Sequence, residues 1–125
     1  MYTVSADPAR KLVILKIVGL MTEDEVSRFY LDEHAAIRSM ACRPGEHYAL
    51  VDLTECNLQL QEVAAAFQKR IGGHGKAKRL AMFTGPSPAR MQARRILQRD
   101  DAALFETRAQ AEGWLFGEAE ARDAA

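Results

Sequence analysis

Residues 12–25, LVILKIVGLMTEDE, have the pattern of a strand that leads directly into a helix. The run from Leu12 to Val18 is rich in β-branched residues, which predicts a strand, and Gly19 ends it. Thr22 and Glu25 then form a capping-box pattern, in which each side chain can bond the backbone N–H of the other residue. A strand followed by a capped helix is the repeating unit of α/β proteins.

The segments around this stretch continue the pattern in both directions. Upstream, residues 2–5 alternate in polarity and residues 7–10 suit a turn, which predicts an N-terminal hairpin. Downstream, apolar residues fall on one helical face over 22–40 and again over 60–71. Further strands are predicted at 48–53, 80–83 and 103–105. Ser87 with Pro88, and Thr107 with Gln110, mark the starts of the last two helices.

The resulting order, β-β-α-β-α-β-α-β-α, predicts an α/β fold with a mainly parallel sheet, because each crossover helix returns the chain to the same edge. The hairpin adds an antiparallel strand. We therefore predict a mixed four- to five-stranded sheet with four helices. One domain over residues 1–118 is expected, followed by a flexible tail rich in acidic residues and alanine over 119–125.

The composition excludes several classes of protein. The chain has 125 residues, of which 48 % are apolar, and its 17 basic and 17 acidic residues give a formal net charge of zero. Neither nucleic acid nor a membrane surface is therefore an expected partner. No apolar run is long enough for a transmembrane span, and the first residues lack a signal-peptide pattern, so a cytoplasmic location is expected. Cys42 and Cys56 are interpreted as reduced thiols, with a redox pair as the alternative.

Three segments resemble the SpoIIAA-like, STAS/SEC14-type family of small stand-alone bacterial proteins. They are residues 19–25 (GLMTEDE), 50–54 (LVDLT) and 104–115 (LFETRAQAEGWL). The resemblance implies a STAS fold that binds a protein partner or holds an apolar ligand under a movable helix. Anti-sigma-factor antagonists of this fold carry a phosphorylation loop of the type Asp-Ser-Ser-Gly. Residues 54–61 contain no serine, and Thr54 is the one residue among them with a hydroxyl group. The phosphorylation switch of that family is therefore not expected in this protein.

No catalytic or metal site stands out. His34, His47 and His74 have no nucleophile at a suitable spacing and are interpreted as surface histidines. His-x-x-x-His and Cys-x-x-Cys pairs are absent from the sequence, so no metal or cofactor is expected. The glycine-rich residues 72–76 join a helix to a strand, the reverse of a phosphate-binding loop, and are interpreted as a helix stop. An enzyme that uses Asp52, Glu55 and His47 is the weakest hypothesis, and we predict a non-enzymatic protein.

Charge is distributed unevenly, since residues 69–99 hold nine Lys and Arg and no Asp or Glu. One interpretation is an anion site where Thr84, Gly85 and Ser87 lead into the third helix, whose N–H groups favour an anion, with Arg90 and Arg94 alongside. The other is that these cations pair with the acidic segments on either side, within the fold or across a dimer. Arg95 and Arg99 are predicted to share a helix face.

Two functional hypotheses follow. The first is a STAS-like module that holds a small amphipathic or lipid-like anionic ligand, with its head group at residues 84–90. Apolar walls for such a ligand are predicted at Phe29, Tyr30, Phe67 and Met82, which would equally suit the core. Asp52 and Thr54 end a strand where open sheets bind ligands, although Asp52 is expected to bond local backbone. The second hypothesis is a protein-interaction regulator that lacks the phosphorylatable serine and docks through the first or second helix. The sequence leaves open whether the chain is a monomer or a homodimer.

Overall fold

A five-stranded mixed sheet is the centre of the computed structural model, which describes residues 1–43, 45–71, 77–97 and 99–117. Its strands are β1 (Tyr2–Asp7), β2 (Leu12–Gly19), β3 (Tyr48–Cys56), β4 (Arg79–Phe83) and β5 (Ala102–Phe105). The helices are α1 (Glu23–Ser39), α2 (Gln61–Ile71), α3 (Pro88–Ile96) and α4 (Arg108–Leu115). The predicted order of elements and the mixed sheet are confirmed. The predicted tail over 119–125 lies outside the described residues.

The strands lie side by side in chain order, from β1 to β5. β1 pairs antiparallel with β2, and each later strand pairs parallel with the one before it. Crossovers between parallel strands are almost always right-handed. Because the strands advance across the sheet in one direction, crossovers of one hand place α1, α2 and α3 on the same face. α4 follows the last strand and packs on the opposite face.

Alternation along β2 builds a core on each face of the sheet. Val13, Leu15 and Ile17 join the core beneath α1, α2 and α3. Leu12 belongs to the second core, beneath α4, which also contains Leu115. β2 is buried on both faces of the sheet, and a strand of this kind has a nearly continuous apolar sequence. This burial explains the run LVILKIV at residues 12–18.

The three helix starts predicted from caps are confirmed. The Thr22 hydroxyl accepts a hydrogen bond from the Glu25 N–H at 3.1 Å, and the Glu25 carboxylate accepts one from the Thr22 N–H at 3.1 Å. Ser87 accepts from the Arg90 N–H at 3.1 Å, and Thr107 forms the second capping box. Each cap satisfies backbone donors that the first helical turn leaves without partners.

α3 differs from its prediction in two respects. The sequence predicts that Met91, Ile96 and Leu97 form the apolar side of this helix, but the Met91 side chain is 62 % exposed, and the buried residues are Ala89 and Ala93. α3 therefore packs through small side chains. The helix also ends at Ile96, so the prediction that Arg99 shares a helix face with Arg95 is wrong. None of the described helices has the length and apolar character needed to cross a membrane.

Candidate functional site

A cavity of about 120 Å³ lies between the sheet and the three helices α1, α2 and α3. Its floor is formed by side chains of β2, β3 and β4, and its roof by the inner faces of the helices. Four alanines line the cavity, and larger side chains at these positions would fill it. They are Ala49 on β3, Ala77 before β4, and Ala89 and Ala93 on α3. Protein interiors are otherwise close-packed, so a space of this size is a distinct feature of the fold.

The four residues predicted as apolar walls, Phe29, Tyr30, Phe67 and Met82, all line this cavity. The Phe29 ring meets the Phe67 ring edge-on at a centroid distance of 5.8 Å, and meets the Tyr30 ring at 5.3 Å. Edge-to-face packing holds these rings in fixed positions. The structure therefore brings these four residues to one cavity, and their contact with a ligand stays a prediction.

Two glutamines close the cavity at the carboxyl edge of the parallel strands. The Gln59 side-chain oxygen accepts from the Met21 N–H at 2.8 Å, and its nitrogen donates to the Gly19 carbonyl at 2.8 Å. The Gln92 side chain bonds the Gln59 backbone in both directions, at 2.8 and 2.9 Å. These amides join β2, β3 and α3 to one another. Since their groups have protein partners, we assign them a structural role.

The opposite end of the cavity, at the amino edge of the parallel strands, is formed by Glu33, His47 and Arg99, together called the polar end. His47 precedes β3 and is 1 % exposed, and its Nδ1 has no hydrogen-bond partner in the described part of the chain. A buried polar atom without a partner costs roughly 1–3 kcal/mol. The prediction that His47 is a surface histidine is therefore wrong. His34 is exposed as predicted, and His74 lies outside the described residues.

Arg99 turns inward after α3 ends, and its side chain is 5 % exposed. Its Nε donates to Asp101 Oδ1 at 2.7 Å, and its Nη2 donates to the Ala77 carbonyl at 2.7 Å. Its Nη1 reaches the Ile71 carbonyl at 3.3 Å. A guanidinium has five N–H donors, so these bonds to described residues leave two that are not used. Asp101 partly balances the charge of Arg99 and holds it against the cavity.

Glu33 projects from α1 into the polar end and has no hydrogen bond or ion pair with any described residue. Burial raises the pKa of its carboxyl from 4.5 to about 7, and the positive charge of Arg99 opposes that rise. Burial likewise lowers the pKa of His47, with smaller contributions from the charges of Arg99 and His34. Near neutral pH the polar end therefore holds a neutral imidazole, a fixed cation and a carboxyl group close to its midpoint of ionisation.

The predicted anion site lies elsewhere, and none of its residues lines the cavity. The Arg90 guanidinium donates to the carbonyls of Thr84 at 2.8 Å and Phe105 at 3.0 Å. Thr84 is buried, Ser87 caps α3, and Gly85 and Arg94 are exposed. A Cβ added at Gly85 would meet nothing within 4 Å, so no close approach requires glycine there. Anion binding by this turn stays a prediction, separate from the apolar walls.

Residues 69–99 are called the cationic stretch. Its described Lys and Arg residues lie in different parts of the fold. The Arg79 guanidinium stacks on Trp114 at 5.1 Å, on the face covered by α4. Arg70 stacks on Tyr30 at 5.2 Å, on the face covered by α1 and α2. Arg99 is buried, and Arg90 bonds backbone carbonyls. The stretch therefore does not form a single surface patch among the described residues.

The residues of the enzyme hypothesis are not brought together. Asp52 Oδ1 accepts from the Thr54 N–H at 2.9 Å and from the Thr54 hydroxyl at 2.6 Å, so it bonds local backbone as expected. Glu55 pairs with Lys16. His47 lies at the other end of β3, roughly 16 Å from Asp52 at about 3.3 Å per strand residue. Among the described residues, no group of His, Cys, Asp and Glu is arranged to hold a metal ion.

Sequence reasoning did not identify Glu33 or Arg99 as members of a site. Glu33 lies in a helix whose polar positions mostly face solvent, and Arg99 lies just past the end of a helix that the sequence pattern extends to it. One signal was available: Arg99 is followed directly by Asp100 and Asp101, a composition that suits a turn more than a helix. Cys42 and Cys56 are free and half-buried, as expected.

Comparison with known proteins identifies the fold. No family model matches the chain. No curated protein matches it. Among solved structures it is similar to an uncharacterized protein from the DUF3478 family with a SpoIIAA-like fold from Shewanella loihica PV-4. The TM-score is 0.68 at 20 % identity, over 91 % of this chain and 93 % of that chain. The predicted SpoIIAA-like fold is confirmed, and an identity this low shows the fold alone.

Proposed function

We propose that this SpoIIAA-like domain is a binding module that holds a small amphipathic molecule in the cavity beneath α1, α2 and α3. The observation that carries the proposal is the cavity itself, which is apolar along its walls and has a buried polar atom without a partner, His47 Nδ1, at one end. Ligand pockets commonly combine apolar walls with a few polar groups that fix orientation. A non-enzymatic role is part of the proposal, and the separation of Asp52, Glu55 and His47 supports it.

The volume of the cavity limits the size of the ligand. In another protein, an engineered apolar cavity of about 150 Å³ binds benzene. A cavity of about 120 Å³ therefore suits a single ring or a short branched chain. A long-chain fatty acid or phospholipid would require α1 or α2 to move away from the sheet. We accordingly favour a small molecule over the lipid among the ligands considered from the sequence.

Filling the cavity tests the proposal. Ala93→Leu adds three carbons to the roof of the cavity, whereas Ala65→Leu makes the same change on the exposed face of α2 and is the matched control. We expect wild type and Ala65→Leu to bind toluene and benzoate, and Ala93→Leu to lose about tenfold or more in affinity. Isothermal titration calorimetry measures the affinities, and circular dichroism confirms that the variants are folded.

A second cavity variant controls for the case in which Ala93→Leu misfolds. Ala49→Val adds volume from the floor of the cavity on β3, and we expect the same loss of binding. Cavity filling commonly raises stability by about 0.5–2 kcal/mol, so the melting temperature of the unliganded variants should hold or rise. If wild type binds neither toluene nor benzoate, or if both folded cavity variants bind as wild type does, the proposal is wrong.

The protein-interaction hypothesis has one observation on its side. Leu20, Leu58 and Leu60 are exposed beside the carboxyl edge of the sheet, where Gln59 bonds Gly19. No described segment covers them, and the structure does not indicate the chemistry of a partner. The cavity, which has both a defined volume and defined polar groups, therefore carries the proposed function.

A further inference from the structure

The polar end of the cavity contains more hydrogen-bonding capacity than the described protein uses. His47 Nδ1 is buried without a partner, the Glu33 carboxyl makes no hydrogen bond to a described residue, and Arg99 has N–H donors left over. All three side chains line the same cavity. Buried polar groups are nearly always paired, so the unpartnered His47 Nδ1, beside a carboxyl and a guanidinium with unused hydrogen-bonding capacity, indicates a missing partner.

Charge indicates the chemistry of that partner. The titratable and charged side chains lining the cavity come from α1, the end of α2, and the segments before β3 and after α3: Tyr30, Glu33, His34, Arg70, His47 and Arg99. Arg70 and Arg99 are permanent cations, and Asp101 pairs with Arg99. Glu33 is half ionised near neutral pH, so the balance is positive. An amine at the polar end would be repelled by the Arg99 guanidinium, whereas a carboxylate would be attracted to it.

We propose that the polar end binds the carboxylate of a small apolar monocarboxylic acid, about the size of benzoate, whose hydrocarbon part occupies the apolar walls. Arg99 and His47 donate hydrogen bonds to the carboxylate, and Glu33 contributes a third from its protonated carboxyl. This inference rests on the proposed function, because it names the ligand class of the same cavity. It locates the head group at the amino edge of the strands, away from Arg90.

Binding of a carboxylate beside Glu33 has a consequence for protons. Two carboxylates at one site repel, so the bound ligand stabilises the protonated form of Glu33 and raises its pKa above about 7. Binding therefore takes up a proton when the pH is above that value. The affinity should fall as the pH rises from about 7 to about 9, by up to tenfold per unit. A cationic ligand would show the opposite dependence.

The experiment compares benzoate with benzamide, benzylamine and toluene by calorimetry at about pH 6 and about pH 9. These probes share a ring and differ in the group presented to the polar end. We expect benzoate to bind wild type about tenfold or more tightly than benzamide at the lower pH, and to lose that advantage at the higher pH. Titrations in buffers of different ionisation enthalpy should report proton uptake with benzoate and none with toluene.

Two variants assign the effect to the residues. Glu33→Gln keeps a hydrogen-bond donor but cannot ionise, so benzoate should bind it with little pH dependence. Glu23→Gln, on the exposed first turn of α1, is the control and should behave as wild type. His47→Leu removes an unpartnered polar atom and is expected to fold. It should lose about tenfold in benzoate affinity while keeping its toluene affinity.

The outcomes separate this inference from the proposed function. If toluene and benzamide bind and benzoate has no advantage, the polar end holds water or another neutral group, and the inference is wrong while the cavity remains a binding site. Tighter binding of benzylamine than of benzoate would also overturn it. If none of the four probes binds, the proposed function fails and the inference fails with it.

Discussion

Glu33 gives the stability of the folded protein a defined dependence on pH. Its pKa is about 7 in the fold against 4.5 as an unperturbed group, so ionisation costs more in the folded than in the unfolded state. Stability should therefore fall as the pH rises from about 4.5 to 7, and remain lower above that range. Active and binding sites are where proteins commonly retain such unfavourable groups.

Replacing Glu33 tests this dependence without any ligand. Above about pH 8, Glu33→Gln should be more stable than wild type by up to roughly 2–3 kcal/mol, and below about pH 4 the difference should vanish. Urea unfolding at several pH values measures it, with Glu23→Gln as the control. A constant difference across the pH range would show that Glu33 is not perturbed by burial. His47 acts in the other direction, because its lowered pKa removes stability as the pH falls below about 6.5.

The turn between β4 and α3 has the sequence pattern of an anion-binding site, but its polar side chains form structural hydrogen bonds in the fold. Ser87 and Arg90 both point to an anion when read along the chain, since a helix N-terminus next to an arginine favours one. In the structure the Ser87 hydroxyl caps the helix and the Arg90 guanidinium bonds the Thr84 and Phe105 carbonyls. These bonds fix the end of β4 against β5.

Two substitutions in this turn distinguish a structural role from head-group binding. Ser87→Ala should lower stability by about 1 kcal/mol through loss of the cap. Arg90→Ala should cost a similar amount or more, because two carbonyls lose a charged donor. Both folded variants should bind benzoate with the affinity of wild type. Loss of benzoate affinity in either variant, with toluene binding retained, would support the head-group site predicted from the sequence at residues 84–90 and contradict a site at the polar end.

The order of elements in the molecule was predictable, because helix caps and strand composition are each encoded in a few consecutive residues. Thr22, Ser87 and Thr107 each began a helix where the sequence indicated, and the run from Leu12 to Val18 formed a strand. The burial of Phe29 and Phe67 was also predictable, because apolar residues at helical spacing pack inward. The polar end was not, since it joins Glu33, His47 and Arg99 from segments far apart in the chain. Their meeting depends on the sheet register and on where α3 ends.

The two faces of the sheet should respond differently to a ligand. The cavity lies beneath α1, α2 and α3, whereas α4 packs on the other face through Ala111 and Leu115. Amides that exchange through local opening are slowed by contacts made in their own neighbourhood. Hydrogen–deuterium exchange with saturating benzoate should therefore slow the amides of α1 and α2 and leave those of α4 nearly unchanged. Ala93→Leu, which fills the cavity without a ligand, should reproduce the slowing on the same face. Equal protection of α4 would mean that benzoate binds outside the cavity or acts on global stability alone.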